Sequence, residues 1–293
     1  MKNLLLAVSA LLMVSCVDSE LIIPGEVVGG GDAGGGTVVP TVVLKDMVGV
    51  LPNGNHRIQF TPEAKISNWE NNGTSNIRMG YTRTANRITG VQYSNAFANV
   101  NTTYNVTYDP NGNLESMESS ALNHTLMFTF ANNVYTVLST VGSTTITHSI
   151  ELQNNRVKQI SLNEGTTNEQ DIVLTYAANN VTGMSINGNP MFTATYDGYA
   201  NPVGAQIGSE AIFTMIDALF VPDTFIEDHS FASAVQWAQG MSANNLLTAQ
   251  SGIDGTMSNI AYVYTYDSEN RPVQATQTLN DTALTSNLTY TYY

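Results

Sequence analysis

The chain has 293 residues, a formal net charge of -14, 42% hydrophobic residues and only 12% charged ones. That length allows one large domain or two small ones, and the acidity repels phosphate backbones and anionic headgroups, which excludes a nucleic-acid partner. The apolar share argues against disorder, while abundant Asn and Thr with few charges suit a polar sheet surface.

Met1-Lys2-Asn3 is a short charged start, followed by an apolar run from Leu4 to Met13. That run is too short to span a bilayer as a helix and has the length of a signal-peptide core. Leu12-Met13-Val14-Ser15-Cys16 resembles a bacterial lipobox, with Met13 where Leu is usual, and contains the only cysteine of the chain. A lone Cys forms no intramolecular disulfide. The resemblance therefore makes Cys16 the lipidated first residue of the mature chain and residues 1–15 a signal peptide. An ordinary secretory signal with an incidental Cys is the competing reading. Removing residues 1–15 takes away one lysine and no acid, so the net charge moves from -14 to -15.

Residues 16–40 carry "PGEVVGGGDAGGGTVVP", a glycine-rich tether bounded by prolines. Gly29, Gly31 and Gly34 spell G-x-G-x-x-G, but neither a strand before nor a helix after supports a dinucleotide loop.

From Thr41 the chain repeats itself. "FTPEAKISNW" (60–69) and "YDPNGNLESM" (108–117) share an aromatic, a proline two residues on, and an aliphatic residue four after that. Looser copies lie at Tyr81…Ile88, Phe130…Val134, Leu152…Val157, Tyr176…Val181, Tyr196…Val203 and Tyr266…Val273, mostly 20 to 27 residues apart. Each unit enters on an alternating strand: Tyr104, Val106 and Tyr108 share one face, Asn105 and Thr107 the other. Eight such hairpins predict an antiparallel meander.

Between Val203 and Tyr264 the alternation stops. "SEAIFTMIDALF" (209–220) puts Ile212, Phe213, Ile216, Leu219 and Phe220 on one helical face, with Ser209 as N-cap and Pro222 beyond its end. "SFASAVQWAQG" (230–240) predicts a second short helix terminated by Gly240. Strands are expected to resume at Ile260.

The Tyr-Asp turn units resemble YD repeats of the Rhs type. With the lipobox, the glycine linker, the helical interval, "SANNLLTAQ" (242–250) and "YTYDSENRPVQAT" (264–276), the chain is similar to uncharacterised Bacteroidota lipoproteins. That resemblance implies an exported, lipid-anchored, β-rich protein and carries no catalytic residue with it. Asp18 and Glu20 after the Cys partly fit a surface-export signal, which Val17 and Ser19 dilute.

"YDPNGNL" (108–114) also has acids and amides near calcium-loop spacing. From Asp109, however, Gly112 falls at position 4 and Leu114 at 6, out of register with an EF-hand. Pro110-Asn111-Gly112 is turn chemistry. His56, His124, His148 and His229 are far apart in sequence, which favours isolated surface or strand histidines over a metal cluster. No G-x-S-x-G marks a nucleophile. Asp223 and Asp228 of the helical interval are the acids a glycosidase pair would use, against solvated or capping groups at helix ends. Trp69 and Trp237 stand outside the repeat and are the candidate sugar-stacking residues, against packing of helix on sheet. An integral outer-membrane barrel fits poorly, because Tyr293 falls off the apolar face of the final strand.

The expected fold is all-β: residues 41–293 as a meander of hairpins curled into an open or closed barrel, with a two-helix insertion at about 205–250 covering an open end or edge. Two stacked sheets enclosing the helices are the second architecture. The expected function is a lipid-anchored, non-enzymatic binding or assembly module at the outer membrane, facing the surface or the periplasm, with a glycan or protein ligand and no cofactor. An envelope polysaccharide hydrolase using Asp223 and Asp228 is the alternative.

Overall fold

A computed structural model describes residues 42–51, 54–72, 76–96, 98–220, 231–251, 258–279 and 285–293. The expected signal peptide (1–15), Cys16 and the expected tether (16–40) lie outside the described residues.

Eighteen strands form one antiparallel sheet. They run β1 Leu44–Leu51, β2 Gly54–Phe60, β3 Ile66–Asn72, β4 Ile77–Thr84, β5 Arg87–Asn95 and β6 Val100–Tyr108. Then come β7 Leu114–Ser119, β8 His124–Ala131, β9 Val134–Val141, β10 Thr144–Gln153, β11 Arg156–Leu162 and β12 Gln170–Ala177. The last are β13 Asn180–Ile186, β14 Asn189–Ala200, β15 Asn244–Ser251, β16 Ser258–Tyr266, β17 Pro272–Leu279 and β18 Thr285–Tyr292. Every strand pairs with its neighbours in the chain, and β1 pairs with β18 from Leu44↔Tyr292 to Gly49↔Leu288. The meander is therefore a closed barrel. Closure removes the edges that the insertion was expected to cover.

The wall has a consistent sidedness. Along β6, Tyr104 and Val106 are buried while Asn101, Thr103, Asn105 and Thr107 are exposed. In β18, Ser286, Leu288 and Tyr290 are buried and Thr285, Asn287, Thr289 and Thr291 exposed. Apolar side chains point inward and Thr and Asn outward, the reverse of a barrel set in lipid.

The turns explain the repeat. At one rim, Ala85/Asn86, Asn132/Asn133, Asn154/Asn155 and Ala178/Asn179 all have positive φ, between 46° and 66°. Two consecutive positive φ values define the type I′ hairpin, which Asn tolerates better than most residues. The wider turns at 60–66, 108–114 and 266–272 share another lock. Asp109 N–H donates to Asn113 O at 2.9 Å and Gly112 N–H to Asp109 O at 3.0 Å, while the Asp109 carboxylate accepts from Asn113 N–H at 2.8 Å. Asp267 and Thr61 stand in the same role, accepting from Arg271 N–H and Lys65 N–H. "YDPNGNL" is thus a self-tied turn, and its bonds to Asn113 hold the Asp109 carboxyl below the usual carboxylate range. The tyrosine just before several turns reaches across to the preceding hairpin. Tyr108 donates to Ile88 O at 2.9 Å and Tyr176 to Val157 O at 2.7 Å, and Tyr292 at the end of the last strand does the same to Pro272 O at 2.8 Å.

The helical interval interrupts this rim between β14 and β15. It comprises α1 Pro202–Ile207, α2 Ala211–Met215, a 3-10 turn Ile216–Leu219 and α3 Phe231–Met241. Four features differ from expectation. The run 209–220 is not one helix capped at Ser209: a 3-10 turn Gly208–Glu210 precedes α2, and the 3-10 turn Ile216–Leu219 follows it. The interval opens one helix earlier, at Pro202, because Asn201 caps α1 rather than completing a repeat turn. Strand structure returns at Asn244 rather than Ile260. Gly240 lies inside α3 and does not end it.

Candidate functional site

The insertion is inside the barrel. In α3 every residue from Ala234 to Met241 is buried, as is every residue from Phe213 to Phe220. A helix buried all round must be surrounded on every side. Here the surroundings come from across the ring: α1 lies against β1, α2 against β11, and α3 against β13, β14 and β15. Phe220 stacks on Tyr104 of β6 at 4.2 Å and 7° and meets Tyr93 of β5 edge-on at 4.8 Å. Tyr81 of β4 donates to Phe213 O at 2.8 Å. A closed ring of this size leaves a lumen wider than the side chains of its wall can fill, and the chain fills it with its own helices.

Asn201 holds the neck of the insertion. Its Oδ1 accepts from Val203 N–H at 3.1 Å, capping α1. Its Nδ2 donates to Gln239 O at 2.5 Å and Ser242 O at 3.0 Å, satisfying the end of α3. Gly204 makes the crossing close enough, since a Cβ there would lie 2.0 Å from Ser242 O. Arg83 of β4 grips Glu210 with two bonds, at 2.6 and 2.7 Å, and tethers the descending segment to the wall.

Trp69 of β3 and Trp237 of α3 are each 2% exposed. Trp237 Nε1–H donates to Thr214 O at 3.0 Å, and the Trp69 ring abuts Gly240. Neither presents a face to solvent; both belong to the packing of the lumen. Asp223 and Asp228 lie outside the described residues, as does His229.

The histidines change the picture more. His56, His124 and His148 are all buried, at 6%, 4% and 0% exposure, and none is a surface group. Each is an inward-facing strand residue at the end of the barrel away from the tyrosine rim. Polar residues recur at that level: Asn95, Thr102, Ser119, Ser139, Gln277 and Ser286 are buried there too. Most are tied in pairs. Thr102 and Ser119 hydroxyls meet at 2.5 Å, and Ser286 donates to Gln277 at 2.9 Å. Asn163 N–H donates to His148 Nδ1 at 3.0 Å. His124 lies between Tyr104, at 2.7 Å from Nδ1, and Ser139, at 2.9 Å from Nε2. Sequence reasoning missed this belt, although the signal was present in a polar residue at the far end of several apolar inward rows, as in β5, β6, β7, β8 and β18.

Ser139, His124 and Tyr104 have the connectivity of a nucleophile, base and orienting group, but not the electronics. Burial drives the Tyr104 hydroxyl well above its ordinary value and lowers that of the His124 imidazole. A neutral phenol in third place supplies no charge to stabilise an imidazolium, which is what the carboxylate of a hydrolytic triad provides. The trio holds the wall together. Among the described residues no group of His, Cys, Asp and Glu has metal-site geometry.

Beside His56 a small cavity is lined by Gly49, Val235, Gln239, Ile260, Tyr262 and Leu288, among others, with room for a single water molecule. Burial lowers the His56 pKa to about 4, against partial support from the neighbouring Gln236 amide.

No family model and no curated protein matches the chain. Among solved structures it is similar to a porin-like protein from Bacteroides uniformis, with a TM-score of 0.44 and 12% identity, over 86% of this chain and 96% of that one. It is also similar to a porin-like protein from Bacteroides vulgatus, with a TM-score of 0.33 and 9% identity, over 86% and 99%. The description porin-like belongs to those proteins. What this fold defines is a closed all-β barrel of 18 antiparallel strands, filled by its own helices.

Proposed function

We propose that this protein is an envelope lipoprotein that stands in water on a lipidated Cys16 and acts as a non-enzymatic binding or assembly module. The observation that carries the reading is the sidedness of the wall together with the filled lumen. A bilayer-spanning barrel presents an apolar band about 25 Å tall to lipid, whereas Thr and Asn alternate along the outside of this one. A channel needs an open bore, and here Phe220, Trp237 and their neighbours occupy it. The working surface is then the outer wall and the rims, which would meet a glycan or a protein.

Cys16→Ser separates this reading from an integral barrel. The variant is expected to leave the membrane fraction and appear as a soluble, folded protein, while the wild type stays membrane-bound after carbonate washing. A Cys16→Ser protein that still needs detergent for extraction would sink the proposal. Glycan and envelope-protein arrays probed with the soluble form then identify the ligand class.

A further inference from the structure

We propose that the polar belt is an acid-sensitive clasp: protonation of His56 and His124 unseats the internal helices while the barrel wall persists. The geometry connects both rings to the insertion. His56, on β2, faces Gln236 and borders the cavity against Val235 and Gln239 of α3. His124, on β8, holds the Tyr104 hydroxyl, and the Tyr104 ring is the surface on which Phe220 stacks. A neutral imidazole accepts at one nitrogen and donates at the other, whereas the charged ring donates at both. Whichever neighbour of His124 now donates, Tyr104 or Ser139, must turn its hydroxyl away inside a packed core.

Among the described residues no carboxylate acts on either ring: burial and, for His56, the Gln236 amide are the influences on them. Around His56 the cavity lining comes from β1, α3, β16, β17 and β18, and Tyr262 is its one other titratable group among the described residues. Burial raises the Tyr262 hydroxyl far above its ordinary value, so it stays neutral. Against His124 stand Tyr104 of β6, Ser119 of β7 and Ser139 of β9, all uncharged near neutral pH. Both imidazoles titrate below their ordinary value because of burial. The seated state therefore binds fewer protons than the unseated one. Its advantage is complete above about pH 6.5 and declines as the pH falls toward 4. For His56 alone, a pKa lowered from 6.5 to about 4 shifts that balance by up to about 300-fold.

Trp69 and Trp237 report the event, since both are buried in the lumen. As the full-length protein is titrated from pH 7.5 to 4, tryptophan emission should shift to the red while the far-ultraviolet strand signal persists. H56Q and H124Q should each move the midpoint to lower pH, and the double variant should abolish the transition. Emission that stays constant to pH 4, or that changes only as the strand signal collapses, overturns the proposal. So does a double variant with the wild-type midpoint. If the variants fail to fold, imidazole proton resonances of the wild type decide: His56 and His124 should titrate at the midpoint of the tryptophan change. Ordinary titration near pH 6.5 without that change overturns it.

Discussion

Asn201 serves two helices with one side chain, accepting from the start of α1 and donating to the end of α3. Replacing it by Ala removes an N-cap worth about 1 kcal/mol and leaves two buried carbonyls unpaired at roughly 1–3 kcal/mol each. Asn201→Ala should therefore lose about 3–7 kcal/mol in urea unfolding. Asn201→Asp discriminates the two roles. It keeps the acceptor for Val203 N–H but turns a carboxylate toward Gln239 O and Ser242 O, so it should be at least as damaging as Ala. An Asp variant as stable as wild type would show that the donated bonds contribute little. Nothing in the sequence marked this residue. Asn201-Pro202-Val203 fits the turn series as well as Asn270-Arg271-Pro272-Val273 does. The two segments diverge only because the chain after Pro202 continues into a helix.

Among the elements, α3 shows why a glycine can be right in the middle of a helix. Gly costs about 1 kcal/mol relative to Ala at such a position, so local propensity alone favours Gly240→Ala. A Cβ there would lie 2.8 Å and 3.1 Å from two atoms of the Trp69 ring and 3.2 Å from Ile207 Cδ1. Overpacking of that kind costs roughly 1–3 kcal/mol, which offsets or exceeds the propensity gain. Gly240→Ala should lower the melting temperature and alter the near-ultraviolet tryptophan signal; a raised melting temperature would mean that the helix sits loosely. The sequence pattern reads Gly240 as a helix end because periodicity describes one chain segment at a time, and the Trp69 ring comes from a strand 171 positions earlier. The strands were more legible. Alternation of Tyr104, Val106 and Tyr108 against Asn105 and Thr107 specifies both the strand and its inward face. The turn residues set each hairpin locally, with Asp109 and the paired asparagines needing no distant partner.

For the whole molecule, the pattern fixed which face of each strand is buried but not what the buried faces meet. A sheet curling onto itself and a sheet wrapped around helices have the same alternation, so the insertion was expected at an open end and lies in the lumen. The histidines were illegible for a related reason: a lone His among Thr and Ser reads the same whichever side of the wall it faces. If the helices are the core, the wall without them keeps its hydrogen-bonded ladder but loses its fixed side-chain packing. Val203, Phe213, Ile216, Leu219, Phe220 and Trp237 are all buried, and at about 2 kcal/mol each they contribute about 12 kcal/mol. That is comparable to the entire stability of an ordinary domain, roughly 5–15 kcal/mol. Ala200 and Asn244 are register partners across β14 and β15, so residues 201–243 can be replaced by an Asn-Gly turn without stretching the ladder. The shortened chain should lose cooperative thermal unfolding and bind a hydrophobic dye while its far-ultraviolet strand signal persists. A sharp melting transition without dye binding would mean that the wall packs against itself, and the helices would then be cargo in the barrel rather than its core.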